Sequence, residues 1–214
     1  MKILLVAATS QEIEPLLSIL KKSVGSIKSH EVDTLITGVG MVATAFNLGK
    51  HLALNTYHIA LNIGIAGSFN SDIAIGEVVL VSQDIFSELG AEDGDQFISI
   101  DDLGFGTAGQ VSETDTPIIS SKLSQLKKVR AITVNKVHGS EESILKTRSQ
   151  FNADIESMEG AAFFYACNQF SLPCLQVRAI SNFVERRNTE GWNISLAIKN
   201  LNNFTLELIE SIKA

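Results

Sequence analysis

Two glutamates and one asparagine stand where apolar runs give way to turns or helix starts, the positions from which a side chain can act on a bound molecule. Glu12 closes Thr9-Ser-Gln-Glu12, which follows the apolar opening Met1 to Ala8. Glu159 falls between Asp154-Ile-Glu-Ser-Met158 and Gly160-Ala-Ala. Asn182 comes directly after Gln176-Val-Arg-Ala-Ile-Ser181. The neighbouring junctions, Gly38 to Met41 and Ile65, Ala66, Gly67 and Ser68, add glycines and a hydroxyl but little positive charge. Two carboxylates, one amide, hydroxyls and glycines suit a neutral polyol or a heterocycle better than a polyphosphate. Ligands of open α/β sheets bind outside the carboxyl ends of the strands, where these residues would lie.

Each residue also has a plain structural reading. Glu12 is the third helical residue after Thr9, the carboxylate of a capping box, and that role is compatible with catalysis. Glu159 is a carboxylate at a helix N-terminus, which the helix dipole stabilises. Yet a charge between an apolar strand and a helix carrying Phe163, Phe164 and Tyr165 is costly without a polar partner, and a sugar diol would supply one. Asn182 has the alternative reading of a turn residue. Gly38-Val-Gly40-Met-Val-Ala43 imitates a dinucleotide fingerprint, but no Asp or Glu lies between Asp33 and Asp72 to hold a ribose diol. A tight strand-to-helix turn is the reading that remains.

These positions need a scaffold, and the composition supplies one. The chain has 214 residues, 45% hydrophobic and 19% charged, with 3 prolines, enough apolar content to bury a core and enough length for one domain, 1–214. Its formal net charge of -7 gives no overall basic field for nucleic acid. Cys167 and Cys174 are too few for a disulfide framework and read as buried apolar residues of a reducing compartment; His30, His51, His58 and His138 lack ligand spacing. No apolar run approaches the ~18 to 20 residues of a membrane span. The opening MKILLVAA passes for a short signal sequence, but the polar, acidic stretch after it reads as a helix start following a buried strand. The expected location is the cytoplasm.

Apolar runs predict strands at Met1–Ala8, Val32–Thr37, His58–Ile65, Gly76–Ile85, Arg130–Val137, Asp154–Met158 and Cys174–Ile180. Helical spacing predicts helices after Thr9, over Met41–Leu54, Glu141–Gln150 and Glu159–Phe170, and over about Ser195–Ile212. The stretch 95–128 has weak periodicity, assigns no elements and reads as loops or short helices covering a site. Strands alternating with helices predict an α/β layer architecture with a largely parallel central sheet.

The junctions taken together carry a resemblance. Met1-Lys-Ile with Glu12, Thr37-Gly-Val-Gly40, Asn62-Ile-Gly-Ile-Ala-Gly67, Glu156-Ser-Met-Glu-Gly160 and Val177-Arg-Ala-Ile-Ser-Asn182 come in the order and spacing of the purine nucleoside phosphorylase and nucleosidase superfamily, which the chain resembles from residue 1 to about 212. Phe86-Ser-Glu-Leu-Gly-Ala-Glu-Asp-Gly94, Ser157-Met-Glu-Gly-Ala-Ala162 and Asn182-Phe-Val-Glu narrow the likeness to the futalosine hydrolases. The resemblance implies a three-layer phosphorylase/hydrolase-like α/β fold with a mixed, largely parallel sheet flanked by helices. It implies a phosphate-independent N-glycosidase in which Glu12 activates water, Glu159 binds the ribose hydroxyls, Met158 packs on the sugar or base, and main chain at Ile65, Ala66 and Gly67 floors the site. It implies a small-molecule purine nucleoside as substrate, no metal or organic cofactor, neither nucleic acid nor membrane as partner, and a homo-oligomer, dimer or higher.

Related nucleosidases acting on methylthioadenosine carry an aspartate where this chain has Asn182. An aspartate accepts from the exocyclic amine of adenine and protonates N7, whereas an amide donates to the carbonyl of a 6-oxopurine. The departure therefore implies a hypoxanthine-type base, as in futalosine, and removes a general acid. Losing one oriented donor of that kind costs about 100- to 1000-fold in rate. The alternatives are a methylthioadenosine/adenosylhomocysteine nucleosidase, a phosphorylase, for which the first loop offers a carboxylate that repels phosphate, and a non-catalytic nucleoside-binding protein. Arg186 and Arg187 read as a solvated loop or as partners of a carboxylate on the far end of the substrate.

Overall fold

The computed structural model describes residues 1–23, 25–112 and 121–212. In chain order the elements are β1 (Lys2–Ala7), α1 (Ser10–Lys22), β2 (Ser26–Ile27), β3 (His30–Ile36), α2 (Met41–Leu52), β4 (Ile59–Ser68), β5 (Val78–Phe86), β6 (Gly90–Asp93), β7 (Gln96–Ser99) and β8 (Gly109–Gln110). There follow α3 (Ser121–Gln125), β9 (Lys127–Thr133), α4 (Glu141–Phe151), β10 (Ile155–Ser157), α5 (Gly160–Gln169), β11 (Cys174–Phe183), a short 3-10 turn at Thr189–Gly191, and α6 (Ile194–Ser211).

The main sheet runs β10-β9-β5-β11-β4-β1-β3-β2, with β8 on β5. It is mixed: β1 lies parallel to β3 and β4, and β4 to β11, whereas β11 and β5 are antiparallel. Strand β1 shows why the apolar opening forms a strand. Ile3, Leu5 and Ala7 point to one face, against Ile13 and Leu16 of α1 and Leu201 and Leu208 of α6. Leu4 and Val6 point to the other, against Leu48 of α2 and Phe163 of α5. Apolar residues at every position are what a strand covered on both faces requires. Cys167 and Cys174 are free and buried in the second of these cores.

The layered, open sheet expected from the sequence is modified at one place. Strand β4 extends past Ile65 to Ser68. Its last residues pair with β10, Ile155 opposite Ser68 and Glu156 opposite Gly67, while β10 also pairs with β9. The strands β10, β9, β5, β11 and β4 therefore close on one another like a barrel. This closure brings residues 154–159 to the ends of β4 and β11, where the polar junctions meet.

The stretch 95–128 contains β7, β8 and α3, and the hairpin of β6 and β7 stands off the main sheet. Residues 113–120 lie outside the described residues. Among the described residues, no helix is long and apolar enough to cross a membrane.

Candidate active site

A cavity of about 340 Å³ opens at the closure, lined by Thr9, Glu12, Val39, Ile65, Ala66, Gly67, Glu156, Met158, Glu159 and Asn182, among others. The seven residues given catalytic or substrate-binding roles from the sequence, Glu12, Ile65, Ala66, Gly67, Met158, Glu159 and Asn182, line it. Its volume lies within the ordinary range of small-molecule sites, about 300–1000 Å³. No described residue of 95–112 lines it, so that part of the weakly periodic stretch does not cover the site.

Glu12 keeps its capping role and is also turned into the cavity. Its Oε2 accepts the main-chain N–H of Thr9 at 2.9 Å and the Thr9 hydroxyl at 3.0 Å. Its Oε1 accepts the N–H of Ile65 at 3.2 Å. A carboxylate offers roughly four lone-pair directions, so both oxygens retain capacity for water. The helix that carries it is held from outside. Asn202 of α6 inserts its amide into α1, donating to the Glu12 carbonyl at 2.8 Å and accepting from the Leu16 N–H at 3.2 Å. The one amide thus ties α6 to the first turns of α1.

Glu159 is the N-cap of α5, but its side chain makes no capping bond. The first amides of α5 are satisfied elsewhere: Gly160 N–H by the Ser157 hydroxyl at 3.4 Å, and Ala161 N–H by the Thr133 hydroxyl at 2.8 Å. The carboxylate is thus released from the helix end, and its Oε1 accepts the N–H of Gly40 at 3.0 Å. Gly40 has φ +96°, a conformation that side-chain-bearing residues rarely adopt. The glycine turn that imitates a dinucleotide fingerprint therefore serves to aim one amide at Glu159, which is only 7% exposed.

Asn182 is not a turn residue. It lies inside β11, just past a bulge at Ser181 where the register on β4 shifts. A bulge re-aims the side chain that follows it. The amide has one orientation: Nδ2 donates to the Phe183 carbonyl at 2.9 Å, a group that can only accept, and Oδ1 accepts from the Ser181 hydroxyl at 2.8 Å. One Nδ2 hydrogen and one Oδ1 lone pair remain.

Two features escape sequence reading. Arg178 is 1% exposed, and its Nε and Nη2 both donate to Gln176 Oε1, at 3.0 and 2.9 Å. Its guanidinium lies against Gly64, where an added Cβ would come within 2.1 Å of Nη1 and 3.0 Å of Glu12 Oε1. The chain continues through Gln176 Nε2 to Asp84 Oδ2 at 3.1 Å, with the Thr133 hydroxyl on Asp84 Oδ1 at 2.8 Å. Burial pushes the Asp84 carboxyl up to about 6, against the opposing pull of Thr133, Gln176 and Arg178. A buried arginine in a strand was the available signal, since such a charge demands partners.

The second is Glu156, 3% exposed, which accepts the His138 N–H at 3.0 Å and meets His138 Nδ1 at 2.5 Å. Arg187 lies over the Trp192 ring, 5.0 Å from its centroid, beside the recess of Glu156 and Asn182, while Arg186 is exposed and lines neither cavity.

Comparison with known proteins places the chain in a family and a fold. The family described as "Phosphorylase superfamily" matches residues 2–210. Futalosine hydrolase of Thermus thermophilus is 29% identical over 171 residues, spanning 78% of this chain and 76% of the relative. Aminodeoxyfutalosine nucleosidase of Campylobacter jejuni is 28% identical over 201 residues, 85% and 86% of the two chains. Among solved structures, the 5′-methylthioadenosine/S-adenosylhomocysteine nucleosidase of Neisseria meningitidis, in complex with methylthio-immucillin-A, superposes with a TM-score of 0.81 at 17% identity, covering 99% of both chains.

Proposed function

The chain belongs to the phosphorylase superfamily, and from that premise we propose that it is an N-glycosidase that hydrolyses futalosine to hypoxanthine and dehypoxanthinyl futalosine, a step of menaquinone biosynthesis. The observation that carries the reading is the convergence of Glu12, Glu159 and Asn182 on one cavity. The names of the Thermus and Campylobacter relatives support the substrate class.

The C1′–N9 bond breaks through an oxocarbenium-like transition state, by analogy with glycoside chemistry. Glu159 binds the 2′ and 3′ hydroxyls with the oxygen that Gly40 leaves free, and its charge opposes the positive charge growing on the ribose. Glu12 orients a water beneath C1′ and takes its proton, the fixed bonds from Thr9 and Ile65 holding it in place. Met158 packs on the sugar or base above a floor of Ile65, Ala66 and Gly67 main chain. Asn182 donates its spare Nδ2 hydrogen to the 6-oxopurine, stabilising the base as it departs as an anion; the anion takes a proton from solvent to become hypoxanthine, and Glu12 passes the proton of the attacking water back to solvent. The phosphorylase alternative finds no support at Arg178, whose guanidinium is buried and committed to Gln176.

The reading includes a homo-oligomer. Val42 and Phe46 on α2 are 77% and 67% exposed, close in sequence to Val39 of the cavity wall. A panel of nucleosides assayed with and without phosphate, with chromatography of the released base, tests the function. Hypoxanthine from futalosine without phosphate is the expected result; adenine from methylthioadenosine, or strict phosphate dependence, overturns it.

A further inference from the structure

Helix α5 begins with a side chain that could cap it and does not. An N-cap side chain commonly accepts the N–H two or three residues further on. Glu159 holds the N-cap position of α5 but makes no such bond. The N–H it would take, that of Ala161, is instead accepted by the Thr133 hydroxyl at 2.8 Å. Thr133 ends β9, is fully buried and does not line the cavity. A main-chain N–H can only donate, so the Thr133 oxygen accepts there and its own proton goes elsewhere. It goes to Oδ1 of Asp84, 2.8 Å away in the neighbouring strand β5.

Asp84 is itself held. Its Oδ2 accepts Gln176 Nε2 at 3.1 Å, and Gln176 Oε1 in turn takes two donors of Arg178. The start of α5 sits directly on this pair: a Cβ on Gly160 would lie 2.0 Å from Asp84 Oδ2 and 2.1 Å from Gln176 Oε1. Glycine is what lets the helix come so close. A carboxylate at that place also meets the positive end of the helix dipole. The helix end is therefore served from the protein interior, by Asp84 through Thr133. The Glu159 carboxylate is left to the cavity, with one oxygen on the Gly40 N–H.

We propose that Thr133, held by Asp84, is the positioning residue of Glu159: by taking the Ala161 N–H it keeps the glutamate off its own helix and turned toward the ribose hydroxyls. The proposal rests on the nucleosidase reading above and deepens it. Thr133 and Asp84 do not touch the substrate and act through Glu159 alone. Without the hydroxyl the buried Ala161 N–H loses its acceptor, a costly state. The Glu159 carboxylate, at the N-cap of the same helix, relieves that cost by turning back to the amide, and is then withdrawn from the sugar. A threonine that only supported the fold would lower stability when replaced and leave sugar recognition as it was.

The test reads sugar recognition by binding, with Glu12→Gln as the reference protein so that the ligands are not consumed. Inosine and 2′-deoxyinosine, which differ only at the 2′ position, are titrated against the reference. They are also titrated against the reference carrying Thr133→Val, an isosteric loss of the hydroxyl, or Thr133→Ser, which keeps it. The reference is expected to bind inosine at least about tenfold more tightly, the ratio that one hydrogen bond to a charged group gives. In Thr133→Val the ratio should shrink to within about threefold, and in Thr133→Ser it should return to at least about tenfold. Thr133→Ala removes the same hydroxyl should the valine variant fail to fold. An undiminished ratio in a folded valine or alanine variant, or a lost ratio in the serine variant, overturns the proposal and leaves the hydrolase reading untouched. Equal or absent binding of the two nucleosides by the reference takes Glu159 off the ribose and overturns the proposal as well. A ratio that falls with valine and returns with serine, in a protein whose wild type releases no hypoxanthine from futalosine, would refute the hydrolase reading and leave the role of Thr133 standing.

Discussion

The main-chain N–H of Ile65 donates to Oε1 of Glu12 at 3.2 Å, tying the first helix to the strand that floors the cavity. With Thr9 on the other oxygen, the carboxylate has one rotamer and one direction. A general base must lie within hydrogen-bond reach of the proton it removes, and a fixed carboxylate meets that demand at little reorganisation cost. Glu12→Gln keeps an acceptor for Ile65 but loses the basic oxygen. Turnover of futalosine should fall by about 10²- to 10⁴-fold, while hypoxanthine binding measured by titration stays within about threefold. Equal turnover in variant and wild type would remove Glu12 from the mechanism.

The bond from Gly40 leaves one Glu159 oxygen for the substrate. Glu159→Ala should weaken ribonucleoside turnover by about 10- to 100-fold in kcat/KM, the range for a lost hydrogen bond to a charged group. The wild-type penalty for a 2′-deoxy substrate should largely disappear in the variant. Steady-state kinetics on the ribo and 2′-deoxy pair reads both effects; a 2′-deoxy penalty that survives the substitution places the diol elsewhere.

Asn182→Asp replaces a donor wall by an acceptor. The ratio of kcat/KM for a 6-oxopurine over the matching 6-aminopurine nucleoside should fall by at least about tenfold. An unaltered ratio would mean that the amide does not face the heterocycle. Ser181 and Phe183, which orient this side chain, serve an aspartate less well, so a modest loss of thermal stability should accompany the change.

Asp84 supplies a pH dependence of stability. Burial raises its carboxyl to about 6 in the folded protein, above the unfolded value near 3.8. The folded state then binds more protons than the unfolded state between these limits, so the contribution of this group to stability is complete below about 3.8 and is lost as pH rises through about 6. The melting temperature of wild type relative to Asp84→Asn should therefore decline from pH 4 to pH 6.5. A difference independent of pH would mean that Asp84 does not titrate in this window.

The sequence made the local devices legible and missed those that depend on closure. Glu12 was readable because a capping box is four consecutive residues, and β1 because its apolar residues fill both faces. Asn182 was placed after a strand because the bulge at Ser181 lets β11 continue where a simple pattern stops. Glu156 went unread because its meaning depends on β10 pairing with the far end of β4, a contact between residues 156 and 67 that no periodicity records. His138 likewise looks like a scattered histidine until the fold sets it on Glu156. Arg178 and Asp84 are polar residues inside apolar strands, and their partner Gln176 emerges only when β11 and β5 lie side by side.

The central claim is that water, placed by Glu12, is the incoming group at C1′. Futalosine incubated with the protein in phosphate-free buffer made with ¹⁸O-water, followed by mass spectrometry of both products, tests it directly. The account predicts unlabelled hypoxanthine and one ¹⁸O at the anomeric position of the sugar product, with the rate lost in Glu12→Gln. No base released until phosphate is added, or a sugar 1-phosphate as the product, would contradict it.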